Sequence, residues 1–63
     1  MKEEKTFHLG DLVQVNNAQR PSVFHNVGIV VGEDTKTWVM YKVFISGNGT
    51  HWFHPYELKD AEY

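Results

Sequence analysis

The alternation of apolar and polar residues along the chain predicts short β-strands and almost no helix. Residues 12–16 alternate, with Val13 and Val15 on one face and Leu12 and Gln14 on the other, as in a half-buried strand. Residues 27–33 form a second apolar run whose two glycines indicate a bulge or a sharp bend. Residues 37–45 are rich in β-branched and aromatic side chains and form the longest predicted strand.

The connections between these strands differ in length. Residues 17–26 are polar and contain Pro21, which predicts a long loop with Val23 and Phe24 folded back onto the body of the domain. Loops of this length often carry function. Residues 33–36 form a turn. Pro55 begins a single helical turn, and residues 59–63 can add a last short strand.

The sequence Gly47-Asn48-Gly49 predicts a tight hairpin, because Asn-Gly accommodates the positive φ angles of a two-residue turn. Two strand registers are compatible with this turn. Ile45 pairs with Trp52 if Asn48 and Gly49 are the central turn residues, and Val43 pairs with Trp52 if Gly47 and Asn48 are. Both place the same residues on one face, namely Val43, Ile45, Trp52 and His54. Both place Phe44, His51 and Phe53 on the other face.

The facing of the long strand decides which aromatic rings are exposed. Its β-branched face is the better core, which consists of Val39, Tyr41, Val43 and Ile45. We therefore expect partial exposure of Trp38, Met40, Phe44 and Phe53. Exposed aromatic and methionine side chains in one patch indicate an interface. The alternative is a second small core in which a bent strand packs these side chains beneath the loop at 17–26.

Length and composition limit the classes of protein. Sixty-three residues allow one domain, 1–63, in which residues 1–8 are a charged lead-in that frays at its start. The chain has no cysteine, which excludes disulfides and cysteine-based zinc sites. The net charge is −2 and the basic residues are scattered, which disfavours binding to nucleic acid through phosphates.

The charged N-terminus is not a signal peptide, and no apolar run is long enough to span a membrane. We expect a soluble cytoplasmic protein with no membrane partner.

The order of these elements resembles an SH3-like barrel over roughly residues 9–60. The residues that carry the resemblance are Gly10-Asp11-Leu12-Val13, Gly28-Ile29-Val30, Tyr41-Lys42-Val43-Phe44, Gly47-Asn48-Gly49 and Trp52-x-x-Pro55-x-Glu57-Leu58. The pattern is similar to small SH3-like proteins of tailed bacteriophages, with Tudor-like barrels as the nearest alternative. Asn48 stands where an Asp is typical. The resemblance implies an all-β, five-stranded SH3-like barrel with one short 3-10 turn before the last strand. It also implies binding without catalysis. If the protein is phage-encoded, its location is the host cytoplasm, with the virion as the alternative.

Candidate chemistry is sparse. No nucleophile motif, paired carboxylates or phosphate-binding glycine loop is present, so we expect no enzyme and no cofactor. His51 and His54 are three apart on a predicted strand and point to opposite faces, so we also expect no metal. His54 is expected to lie half-buried over Trp52.

The sequence thus predicts a small binding or structural module that docks on another protein through the 17–26 loop and the aromatic face of the hairpin. The candidate binding residues are Trp38, Phe44, Phe53, Phe24, Arg20 and Met40. Self-association is a second interpretation, because edge strands and exposed apolar surface favour pairing. The third is a nucleic-acid module with aromatic stacking beside Lys42, Arg20 and Lys36. An aromatic cage for a methylated ammonium group is a further version of the Tudor-like interpretation.

Overall fold

A computed structural model describes residues 6–61 and contains one antiparallel sheet of five strands. The strands are β1 (Leu12–Val15), β2 (Val27–Asp34), β3 (Met40–Ile45), β4 (Gly49–Phe53) and β5 (Leu58–Asp60), with a 3-10 helix at Pro55–Glu57. Their order across the sheet is β4-β3-β2-β1-β5. The predicted all-β class and the single 3-10 turn are confirmed. The sheet is open, with β4 and β5 as its edges, so the predicted closure into a barrel is not seen.

The prediction of a charged, frayed lead-in at 1–8 falls largely on residues outside the described part of the chain. Its last residues include Phe7, whose burial in the core does not follow from the local sequence pattern. The Phe7 ring is buried and meets the Tyr41 ring edge to face, with centroids 5.4 Å apart. Its backbone N–H donates to the Tyr41 hydroxyl at 3.2 Å. The segment before β1 is therefore part of the fold from Phe7 onward. None of the described helical segments is long and apolar enough to cross a membrane.

One face of the sheet curves around the core, and strand alternation places the small apolar side chains there. The prediction that Val13 and Val15 share one face of a half-buried strand is confirmed, and this face is the inward one, because both residues are fully buried. The predicted return of Val23 from the loop is also confirmed. The core consists of Phe7, Val13, Val15, Val23, Val30, Tyr41, Val43, Ile45, Phe53 and Leu58.

The central strand β2 contains the predicted irregularity. Val30 pairs with Val43 and Gly32 pairs with Lys42, so Val31 is an extra residue in β2. A bulge of this kind bends the strand and increases its twist. Gly28 serves a different purpose, because a Cβ there would lie 2.5 Å from the Phe44 carbonyl oxygen. β2 and β3 can approach closely at this point only because residue 28 has no side chain.

The predicted strand at 37–45 is too long at its N-terminal end. β3 begins at Met40, and β2, at eight residues, is the longest strand. The ladder between them ends where Asp34 pairs with Met40. The Asp34 carboxylate accepts the Lys36 backbone N–H at 3.0 Å, which turns the chain out of the ladder. Residues 37–39 have no partner strand, so Trp38 lies in a loop.

Both predicted hairpin registers are wrong. Ile45 pairs with Gly49 and Lys42 pairs with Trp52, so the loop consists of three residues, 46–48. Gly47 and Gly49 adopt positive φ angles of 85° and 81°, whereas Asn48 does not. The Asn48 N–H donates to the Ile45 carbonyl at 2.8 Å and closes the turn. The positive φ angles therefore fall on the two glycines that flank Asn48.

The observed register reverses the predicted facing of β4. A change of one residue moves every side chain of a strand to the opposite face. Phe53 pairs with Tyr41 and is fully buried, so its predicted exposure is wrong. Trp52 was expected in the core and is 43% exposed. Phe44 is 46% exposed. Its predicted exposure is confirmed, because the prediction assigned the correct face of β3 to the core.

We expect Gly28→Ala to destabilise the fold strongly. The new methyl group would clash with the β3 backbone and the Val43 side chain, and overpacking of this kind costs about 1–3 kcal/mol or more. Gly32→Ala is the matched control in the same strand, since its Cβ would meet only the Lys42 side chain at 3.4 Å or more. Urea unfolding measures both. Equal unfolding free energies for the two variants would contradict the close approach of β2 and β3 at Gly28.

Candidate functional site: the outer face of the sheet

The face of the sheet that points away from the core is largely apolar. Antiparallel sheets with one solvated face usually alternate apolar residues inside with polar residues outside. Here six outward apolar residues are each 37–48% exposed. They are Leu12, Val27, Ile29, Val31, Phe44 and Trp52, and we call them the outer patch.

The outer patch is continuous across β1, β2 and β3, whereas Trp52 lies on β4 beyond Lys42. Leu12 pairs with Ile29, and Ile29 pairs with Phe44, so three apolar side chains form one row across β1, β2 and β3. Side chains directly opposite on neighbouring strands are in contact range. Val27 and Val31 extend the patch along β2, the central strand of the sheet. The patch is therefore centred on the middle of the sheet.

The outer patch is about as large as the largest apolar patch of an ordinary monomer. Six large side chains with somewhat less than half of their area exposed present on the order of 500 Å². The largest apolar patch of an ordinary monomer is about 300–600 Å² and is often functional. A stable interface uses about 800 Å² on each partner. The outer patch with its polar neighbours can supply most of that area.

Two lysines lie on the outer face of the sheet. Lys42 lies between Gly32 and Trp52 in the ladder, and its ammonium group is 6.0 Å from the centroid of the Trp52 ring. This distance is at the limit of a cation–π contact. Lys59 is exposed on β5 and pairs with the outward residue Gln14. The exposed Asp34 pairs with the outward residue Met40, so the outer face is apolar at its centre and carries charges of both signs around it.

The structure distributes the predicted binding residues over several places. Phe44 is in the outer patch, and Met40 is half-buried at the start of β3. Trp38 is 68% exposed in the loop at 35–39. Arg20 and Phe24 are half-buried in the 17–26 loop. The sequence reasoning missed Trp52, because the hairpin register was wrong. It also missed Leu12, Val27, Ile29 and Val31, although strict alternation in β1 and β2 marks the first three as outward.

The 17–26 loop packs on the side of the sheet that faces the core. The Arg20 guanidinium carbon lies 4.5 Å from the centroid of the buried Phe53 ring. Arg20 Nη1 also donates to the Trp52 carbonyl at 3.4 Å, on the edge strand β4. Phe53 thus lies beneath the loop, in the main core, and Phe44 does not. The alternative of a second small core beneath the loop is therefore wrong, because Phe53 belongs to the main core and Phe44 and Trp38 are exposed.

Glu57 fixes the loop to the 3-10 helix. Its side chain is 7% exposed, and both carboxylate oxygens have partners. Oε1 accepts the His54 backbone N–H at 2.7 Å, and Oε2 accepts the Asn17 side-chain amide at 2.7 Å. Arg20 Nη1 is 3.6 Å from Oε2. One buried carboxylate therefore connects the start of the loop, the middle of the loop and the end of β4.

The histidines have separate local contacts. His54 stacks on Tyr56 with centroids 5.2 Å apart, so the prediction that it lies over Trp52 is wrong. His51 Nε2 is 2.9 Å from the Asn48 carbonyl oxygen, which requires the proton on Nε2 because a carbonyl only accepts. Within residues 6–61, no group of three or more acidic or histidine side chains is arranged to hold a metal ion.

No protein-family model, curated protein or solved structure matches this chain at a significant level.

We expect Glu57→Ala to lower the free energy of unfolding by about 2–4 kcal/mol, because it leaves buried donors and a nearby guanidinium without their acceptor. Glu33→Ala is the control, since that carboxylate is exposed on β2, and it should change stability by about 0.5 kcal/mol or less. Chemical unfolding monitored by tryptophan fluorescence gives both values. Similar losses for the two variants would show that Glu57 does not hold the loop.

Proposed function

We propose that this chain is a small, non-enzymatic protein-binding module that docks through the outer face of its sheet. The observation that supports the proposal is the continuous outer patch, centred on β2 and exposed in six apolar residues. Burial of apolar surface provides most of the driving force of protein association. Phe44 and Trp52 are the proposed anchors, because aromatic residues contribute most often to binding hot spots.

The composition of the patch favours a protein over a nucleic acid as the partner. Bases stack on aromatic rings, and the outer patch has rings only at Phe44 and Trp52. Its centre consists of the aliphatic residues Leu12, Val27, Ile29 and Val31. The whole chain also has a net charge of −2. Lys42 beside Trp52 is the observation that keeps nucleic-acid binding as the second candidate.

The element order supports an SH3-like origin as part of the same proposal. A long first loop, a hairpin and a 3-10 helix before the last strand follow one another as in that class of barrel. In this interpretation β4 and β5 approach each other as the edges of a strongly curved sheet. The small SH3-like proteins of phages and bacteria, which act in a cytoplasm, are the proposed relatives. Tudor-like barrels are the alternative.

We expect Phe44→Thr and Trp52→Thr to abolish capture of a protein partner while changing stability by less than about 1 kcal/mol. Threonine keeps the strand preference and removes the exposed ring. The measurement is a tagged pull-down from the lysate of the producing cell, treated and untreated with nuclease, with mass spectrometry of the retained proteins. Thermal unfolding of each variant verifies that the fold is intact.

Tyr56→Thr provides the matched control for this experiment. Tyr56 is 75% exposed on the 3-10 helix and lies outside the outer patch. Its substitution removes an exposed ring of similar size and should leave capture unchanged. Capture that persists in both patch variants would contradict the proposal. Capture that disappears only after nuclease treatment would favour the nucleic-acid alternative.

A further inference from the structure

Asn48 is the one asparagine of the chain that precedes a glycine, whereas the other three precede Asn17, Ala18 and Val27. Asparagine is thermolabile, because the backbone nitrogen of the next residue can attack its Cγ atom and expel ammonia. A side chain on the next residue obstructs this attack, and glycine has none. The sequence therefore ranks Asn48 as the most reactive of the asparagines.

The hairpin tip leaves the Asn48 side chain accessible. Asn48 and Gly49 are both exposed, and a Cβ atom at Gly49 would have no heavy atom within 4 Å. Within residues 6–61, no hydrogen bond holds the Asn48 carboxamide. There is thus open space around Gly49 for a cyclic imide, and the Asn48 Cγ atom can turn toward the Gly49 nitrogen.

The other asparagines lack this combination of features. The Asn17 carboxamide donates to Glu57 Oε2 at 2.7 Å and accepts the Gln19 N–H at 2.9 Å, so it is held at both ends. The nitrogen that would attack Asn16 belongs to this anchored residue. The nitrogen that would attack Asn26 belongs to a β-branched residue, the first of β2, and its side chain obstructs the approach.

His51 contacts the peptide unit that would react. Its Nε2 atom is 2.9 Å from the Asn48 carbonyl oxygen and donates to it. This oxygen and the Gly49 nitrogen belong to the same peptide unit, so the oxygen shares the negative charge when the nitrogen loses its proton. A donor already in place where charge develops stabilises that charge, and hydrogen bonds to charged acceptors are stronger than those to neutral ones.

We propose that Asn48 is a site of spontaneous deamidation and that His51 accelerates the reaction. The Gly49 nitrogen passes its proton to water and forms a bond to Asn48 Cγ, and the carboxamide nitrogen leaves as ammonia. The product is a succinimide. Water then opens this ring, either at the former Cγ atom to give aspartate or at the main-chain carbonyl carbon to give isoaspartate. Water is the only co-reactant, and the proposal is independent of the protein-binding function.

Isoaspartate at this position would disturb the hairpin. In isoaspartate the main chain runs through Cβ, which adds one atom between positions 48 and 49. The loop closes at this point, where the Asn48 N–H donates to the Ile45 carbonyl at 2.8 Å and Ile45 pairs with Gly49. The added atom displaces Gly49 from Ile45 and weakens the pairing of β3 with β4. Aspartate adds a negative charge and leaves the length of the main chain unchanged.

The first test follows all four asparagines in one sample. The full chain is incubated at mildly alkaline pH, and peptide mapping by mass spectrometry locates each conversion of amide to acid over time. Methylation by an isoaspartyl methyltransferase reports the isoaspartate. We expect position 48 to convert several-fold faster than positions 16, 17 and 26, with isoaspartate among its products. Conversion at position 48 that is no faster than at positions 16 and 26 would overturn the proposal.

His51→Phe tests the role of the histidine, since it keeps an aromatic ring and removes the donor. In the folded chain it should slow the conversion at position 48 by about tenfold, the usual effect of losing a hydrogen bond to a developing charge. His51→Gln restores an N–H donor and should recover part of the rate. In concentrated urea the contact is lost, so the original chain and both variants should convert equally fast. An unchanged rate in folded His51→Phe, or the same slowing in urea, would exclude the proposed role.

Asn48→Asp is the matched control for the effect on stability, because it adds the charge without the main-chain atom. We expect the aged chain, enriched in isoaspartate, to unfold at a lower urea concentration than both the fresh chain and Asn48→Asp. Equal midpoints for the aged chain and Asn48→Asp would show that the hairpin tolerates the added atom, which contradicts the proposed consequence.

Discussion

The register of the β3–β4 hairpin is the constraint on which the rest of the structure depends. The three-residue loop, with Gly47 and Gly49 at positive φ, pairs Tyr41 with Phe53. This pairing buries the Phe53 ring beneath Arg20 and turns the Trp52 ring outward. A shift of one residue would exchange the two rings, since side chains alternate along a strand. The hairpin turn thus determines both the composition of the core and the composition of the outer face.

Most predictions that rested on local pattern were correct, whereas the hairpin register and the start of β3, which depend on strand pairing, were predicted wrongly. Alternation separated the two faces of β1 and identified the outward position of Phe44, and the glycines of β2 indicated its bulge. The hairpin register failed because Gly47-Asn48-Gly49 is compatible with several loop lengths, and only the packing of Phe53 selects one. The strand start at Met40 depends on where the ladder of β2 ends. This pairing joins residues on different strands, so the local pattern of residues 37–45 does not show it.

Glu57 compensates for the weakness of a core built from so short a chain. A domain of this size buries a limited fraction of its surface, and a long polar loop adds conformational entropy that folding must overcome. The buried carboxylate accepts hydrogen bonds from the loop and from the backbone before the 3-10 helix. The Glu57 backbone carbonyl also accepts the Asn16 N–H at 2.7 Å. Because these contacts join segments 40 residues apart in sequence, they hold the loop over Phe53 without a disulfide.

The outer patch is not explained by the needs of the fold. Strand preference alone would be met by threonine, which occurs on this face at Thr50. Scattered exposed apolar residues are ordinary on protein surfaces, but Leu12, Ile29 and Phe44 lie directly opposite one another. A continuous apolar surface of this kind increases the risk that the free chain associates, so its presence on the outer face carries a cost that the packing of the core does not require.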